Sequence, residues 1–183
     1  VERLAALVAI ERHLQADAPS LAPDAILRLA SLLPAEAQAA AETAARLRLS
    51  NLDAARLATI AAPPVALSPA LAAAERRRAQ RRLGGQASVD IVMLGWARAR
   101  AEPGGPGAHF GDSAWRALLA EVRAWTAPAF PLKGRDALDL GLAPGPEVRR
   151  TLAEVEAWWE EGDYAADRAG CLARLRQLAA GSG

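Results

Sequence analysis

Apolar residues recur along this chain at intervals of three and four, the spacing that gathers them on one face of an α-helix. Leu4, Leu7, Val8 and Leu14 mark the first such face, which the Asp17-Ala18-Pro19-Ser20 stretch should end. Asp24 is placed to cap a short second helix carrying Ile26, Leu27, Ala30 and Leu33 inward, closed by Pro34. An alanine-rich third helix runs to about Leu49. There Ser50-Asn51-Leu52-Asp53 forms a capping box, a hydroxyl followed three residues later by an acid, and the helix it opens ends before Pro63-Pro64. Ser68-Pro69 reads as a cap with proline at the first helical position, so a fifth helix is predicted from there to Gly84-Gly85. A sixth, Val89 to Arg100, should bury Ile91, Val92, Leu94 and Trp96.

Glu102-Pro103-Gly104-Gly105-Pro106-Gly107 cannot hold a helix and is the expected variable loop. Asp112-Ser113 should cap a seventh helix with Trp115, Leu118, Leu119, Val122 and Trp125 on one side. Beyond Pro128 to Pro131 comes a short helix to Leu140 and the turn Gly141-Leu142-Ala143-Pro144-Gly145-Pro146. A long helix from about Glu147 to Glu161 follows, then a last one capped by Asp167. The pattern gives about ten helices and no convincing strand. The fold class expected is therefore all-α, in an elongated arrangement of two or three small lobes: 1–62, 63–127 and 128–183.

Composition supports that reading: 52% of the 183 residues are hydrophobic and only 4% aromatic, enough for a core of helices packed through small side chains. The single cysteine, Cys171, excludes an internal disulfide and fits a reducing cytoplasm, and two isolated histidines do not make a usual zinc site. No apolar run approaches the ~18 residues of a membrane span, and no secretory leader is present, so a soluble, cytoplasmic protein is expected. The opening Val1-Glu2-Arg3-Leu4 is already helix-like and lacks Met, which reads as a start inside a longer protein.

Net charge is only +1, but it is unevenly placed. Arg76, Arg77, Arg78, Arg81, Arg82, Arg98 and Arg100 fall in one stretch whose single acid is Asp90, whereas Glu154 to Asp163 carries acids and no base. On a helix Arg77 and Arg81 share a side, as do Arg78 and Arg82, giving a broad basic stripe that suits a polyanion or is simply a solvated face. A second basic group, Lys133, Arg135, Arg149 and Arg150, flanks the Gly141 to Pro146 turn. There a helix start exposes free N–H groups, which suits phosphate capture or a tight corner with solvated charges. Helical spacing makes most of the five tryptophans core residues, with one of Trp158 and Trp159 exposed. His13, His109 and Cys171 read as packing or surface residues.

Gly134-Arg135-Asp136, Leu140-Gly141-Leu142 and Gly145-Pro146-Glu147-Val148, followed by Leu152, Glu156 and Trp158-Trp159, resemble the C-terminal module of class II CCA-adding tRNA nucleotidyltransferases and their poly(A) polymerase relatives. Arg78, Arg82-Leu83-Gly84 and Asp90 to Ala97 are similar to that family's middle helix pair. Leu27 to Pro34 and Ala45 to Asn51 are similar to its first RNA-binding helices. The resemblance implies a neck- or body-like segment over 1–62, a middle segment with a basic helix over 63–127 and a tail-like module over 128–183. It also implies tRNA as partner, together with the protein's own catalytic head. The RNA contacts it suggests are Arg76, Arg77, Arg78, Arg81, Arg82, Arg98, Lys133, Arg135, Arg149 and Arg150. The family's paired metal-binding carboxylates and Gly-Ser turn have no counterpart here, so Mg²⁺ is expected only in the missing head and this chain alone should add no nucleotides. A poly(A) polymerase parent, a helical protein-interaction or oligomerisation module, and a helix-turn-helix nucleic-acid binder are the alternatives.

Overall fold

Where apolar spacing predicts a helix, the computed structural model has one, and no strand occurs among the described residues, which are 1–17, 23–105 and 107–180. The ten helices are α1 Glu2–Asp17, α2 Ala25–Leu32, α3 Ala37–Arg46, α4 Asn51–Ala61, α5 Ala73–Leu83, α6 Gly85–Ala101, α7 Asp112–Ala124, α8 Gly134–Leu138, α9 Pro146–Glu161 and α10 Arg168–Ala180. The expected stop after Asp17 falls mostly outside the described residues, as do Pro106 of the Glu102 to Gly107 loop and the closing Gly181-Ser182-Gly183.

The chain divides into two units, Val1–Thr126 and Ala127–Gly183. The segment 1–62 and all but the last residue of 63–127 belong to the first unit and share a hydrophobic core, because Leu7, Ile10, Leu57 and Ile60 pack in the same cluster as Ile91, Trp96, Leu118 and Val122. Its central element is α6, against which α1, α2, α4, α5 and α7 all pack. Nine α6 residues from Ser88 to Ala99 are buried, so the helix is enclosed on most sides and its apolar positions are not confined to one stripe. α7 comes close at Gly95, where a Cβ would stand 3.0 Å from the Trp115 ring.

Capping signals are met at Asp24, whose carboxylate accepts from Leu27 N–H at 2.9 Å, and at Ser50, whose hydroxyl oxygen accepts from Asp53 N–H at 3.1 Å. Two signals are met differently. Ser68-Pro69 opens a turn, not a helix, closed by Leu71 N–H to the Ser68 carbonyl at 3.2 Å, and α5 begins at Ala73, where Glu75 accepts from Ala72 N–H. Burial of Leu67 pins the chain there before the helix can start. Asp112 lies inside α7 behind Gly111 and is turned to other partners: Trp96 Nε1–H donates to it at 2.8 Å and Arg100 forms a bidentate pair with it.

Several polar groups buried in the first unit are paired across helices, though Glu11 Oε1 and Arg98 Nε and Nη2 are buried without a hydrogen-bond partner among the described residues. Arg56 on α4 donates to both Asp90 carboxylate oxygens at 2.8 and 3.0 Å and to Asp24 at 2.8 Å, joining α2, α4 and α6, while Gln86 also donates to Asp90. Arg28 on α2 holds the buried Glu11 carboxylate of α1 at 2.6 Å.

The second unit packs α9 against α8 and α10 around Leu132, Ala137, Leu142, Val148, Val155, Trp159, Cys171 and Leu175. Asp167 accepts from Gly170 N–H at 2.8 Å and so caps α10, as its position suggests. Trp159 is buried and donates to the Ala166 carbonyl, while Trp158 is half-buried.

Candidate nucleic-acid interface

The two basic groups have different surroundings. On α5, Arg76 is half-buried and engaged: Nη2 and Nε reach the Glu121 carboxylate at 2.7 and 3.2 Å, and Nη1 donates to the Leu71 carbonyl. It fastens the start of α5 to α7. Arg77, Arg81 and Arg82 each have a partner within the chain. Arg78 is half-buried. On α6, Arg98 is turned inward, and its Nε and Nη2 are closed to solvent. Burial, then the neighbouring Arg3 cation, pushes its guanidinium below the ordinary arginine pKa, with Glu102 opposing. Much of the charge between Arg76 and Arg100 is therefore directed into the first unit's own structure.

The second unit is arranged otherwise. The stretch entering α8 is fixed by Asp136, buried at 7% exposure, which accepts from Lys133 N–H at 2.7 Å and from Arg168 Nη2 and Nη1 at 2.5 and 3.2 Å. Arg168 also donates to the Pro131 carbonyl at 2.6 Å. Arg168 first, then the Lys133 N–H, holds the Asp136 carboxyl below its ordinary pKa against the opposing effect of burial. With the backbone of Lys133 and the carboxylate of Asp136 tied down, the Lys133 and Arg135 side chains are left exposed.

Gly134 brings this stretch against the first turn of α9, since a Cβ on it would lie 4.0 Å from Val148 Cγ1. Arg149 and Arg150 follow Val148 directly and are exposed. The connecting turn needs glycine at two points, Gly141 with φ 87° and Gly145 with φ 116°, and Pro146 then opens α9. The result is one corner where Lys133, Arg135, Arg149 and Arg150 are all exposed, and no side-chain hydrogen bond or ion pair holds any of them among the described residues. Of the four, Arg149 and Arg150 stand near the positive end of the 16-residue α9, while Lys133 and Arg135 flank Gly134 at the start of α8. A cation at that end is disfavoured by the helix dipole, and the acids beside these four cations include Glu147 in the first turn of α9 and the buried Asp136, which interacts electrostatically with Arg135.

No family model and no solved structure matches the chain. Part of it, however, is similar to CCA tRNA nucleotidyltransferases. Over 60 residues, 33% of this chain, it is 35% identical to the mitochondrial CCA tRNA nucleotidyltransferase 1 of Danio rerio, and the match spans 14% of that protein. The corresponding protein of Mus musculus is 27% identical over 60 residues, again 33% of this chain and 14% of the relative. An uncharacterized 28 kDa protein encoded beside petA in Rhodospirillum rubrum is 44% identical over 70 residues, 38% of this chain and 24% of that protein. The matches thus span under a quarter of the relatives' own lengths.

Two further features stand outside the ten candidate contact residues, the first of them within the Ala45 to Asn51 segment that the family resemblance points to. The turn between α3 and α4 exposes Arg46 and Arg48 beside Leu47 and Leu52, which are 56% and 79% exposed. Arg48 has φ 51°, the left-handed conformation that usually falls to glycine after a helix, and Leu49 N–H closes the motif on the Ala44 carbonyl. The signal for it, two arginines bracketing a leucine after an alanine-rich helix, is too common to single out. The other feature is a cleft of about 730 Å³ lined by Asp24, Leu52, Asp53, Arg56, Thr59 and Gln86. Its cation, Arg56, is already shared between Asp24 and Asp90. Among the described residues no cluster of three or more His, Cys, Asp or Glu side chains is placed to hold a metal ion, and no helix is long and apolar enough to cross a membrane.

Proposed function

We propose that this chain is a tRNA-binding helical region of a CCA-adding tRNA nucleotidyltransferase, with nucleotide addition performed by catalytic residues that these 183 residues do not supply. The observation that carries the reading is the α8/α9 corner, where four exposed cations lie close along the chain to a helix start and none is held by a side-chain hydrogen bond or ion pair among the described residues. Folded RNA hides its major groove from side chains, so a helical module recognises it mainly through phosphates and shape, and a corner of exposed cations fits that task. The partial similarity to CCA tRNA nucleotidyltransferases supports tRNA over a poly(A) tail as the RNA concerned. On α5, Arg78 and Arg82 stand as secondary candidates.

The test is binding of deacylated tRNA and of a DNA duplex of similar length by the purified chain at two salt concentrations, with oligomeric state measured on the same sample. Tighter binding of tRNA, with affinity falling as salt rises, is the expected result. Equal or tighter binding of duplex DNA would favour a helix-turn-helix type of binder, and self-association without RNA binding would favour an interaction module.

A further inference from the structure

Lys133 is the single lysine among the chain's 22 basic residues, and it stands in the corner described above. Its backbone is held by Asp136, while its side chain is exposed and makes no hydrogen bond or ion pair among the described residues. The cations beside it, Arg135, Arg149 and Arg150, are guanidiniums, which do not lose their charge by simple acylation. The corner therefore holds four cations of which only one is readily converted to a neutral group.

We propose that Lys133 is an acylation site, with a small acyl phosphate as donor, and that its acylation weakens RNA binding at this corner; the second half rests on the reading above. An acyl phosphate is an anion, and Arg135, Arg149 and Arg150 supply the positive field that concentrates it beside the amine. The neutral ε-amine attacks the donor's carbonyl carbon and a C–N bond forms. The C–O bond to phosphorus breaks, and inorganic phosphate leaves with that electron pair. The nitrogen's proton goes to water. The product is a neutral amide, so the corner loses one positive charge. If Lys133 contacts a phosphate, that removes about 0.7 to 0.9 from the slope of log affinity against log salt, or about five- to eightfold in affinity near 0.1 M salt.

The experiment treats the whole chain with acetyl phosphate, maps the acetylated positions by mass spectrometry, and measures tRNA affinity before and after at two salt concentrations. The expected result is acetylation at Lys133, slowed by bound tRNA, with the fivefold to eightfold loss and the shallower slope. Lys133→Arg, which keeps the charge but offers no amine, should show no change in affinity on treatment, and this separates Lys133 from the Val1 α-amine. Acetylation confined to Val1 overturns the proposal. So does a Lys133 acetylated to completion with affinity and slope unchanged; if Arg149→Ala and Arg150→Ala then still lower affinity, the RNA reading stands without it. Affinity indifferent to all of these changes overturns both.

Discussion

Replacing Arg149 and Arg150 together by Ala separates RNA binding from folding, because the structure gives the two effects opposite signs. Both side chains are exposed on the first turns of α9 and make no hydrogen bond or ion pair among the described residues, so their removal breaks none there. Exposed substitutions of this kind change stability by at most about 0.5 kcal/mol. Since cations near a helix N-terminus oppose the dipole, the change should be toward greater stability, by a few tenths of a kcal/mol. RNA affinity should move the other way. Two phosphate contacts contribute about 1.4 to 1.8 to the salt slope, which corresponds to a loss of roughly 25- to 60-fold near 0.1 M salt and only about five- to ninefold near 0.3 M. Fluorescence anisotropy with labelled tRNA at both salt concentrations, alongside thermal unfolding by circular dichroism, reads both quantities. The loss should be similar for unrelated tRNAs, because phosphate contacts carry no sequence information. An unchanged affinity would remove the α8/α9 corner from the RNA surface. A fall in affinity matched by a fall in melting temperature would show that the arginines act on the fold.

Arg76→Ala is expected to do the reverse of that pair, costing about 1 kcal/mol of stability through the lost Glu121 and Leu71 bonds while leaving tRNA affinity near that of the parent, as thermal melts and anisotropy would show. Asp136 makes the second unit acid-sensitive: its folded carboxyl pKa lies below the unfolded value near 3.9, so its contribution is complete above about pH 4 and is lost as pH falls through the lower folded value. Asp136→Asn should therefore be less stable at neutral pH and show a flatter stability profile below about pH 4, measured by urea unfolding across that range. Gly141→Ala meets no neighbour within 4 Å, so its cost is that of the left-handed backbone alone, about 1 to 2 kcal/mol by denaturant titration, and Gly141→Asn should recover part of it.

Helical content, most boundaries and the caps at Asp24, Ser50 and Asp167 were readable from sequence because they depend on groups three or four residues apart, where spacing is geometry. The same local logic put Gly141 and Gly145 in a turn, since glycine's backbone freedom belongs to the residue itself, but it left open which of Trp158 and Trp159 is buried, and the structure buries Trp159. Pairings set by distant residues could not be read that way. Arg56 meets Asp90 and Asp24 from more than 30 positions away, Arg76 meets Glu121 across 45, and Asp112 resembles a cap yet serves Trp96 and Arg100. Charge in a sequence is only a count, and whether it is neutralised depends on which helices the fold sets side by side. Thus the arginine-rich stretch from Arg76 to Arg100, the stronger signal by number, gives Arg76 and Arg98 to the first unit's own structure. The four scattered cations around the Gly141 turn come to one exposed corner because Asp136 anchors the start of α8 and Gly134 packs beside Val148 of α9.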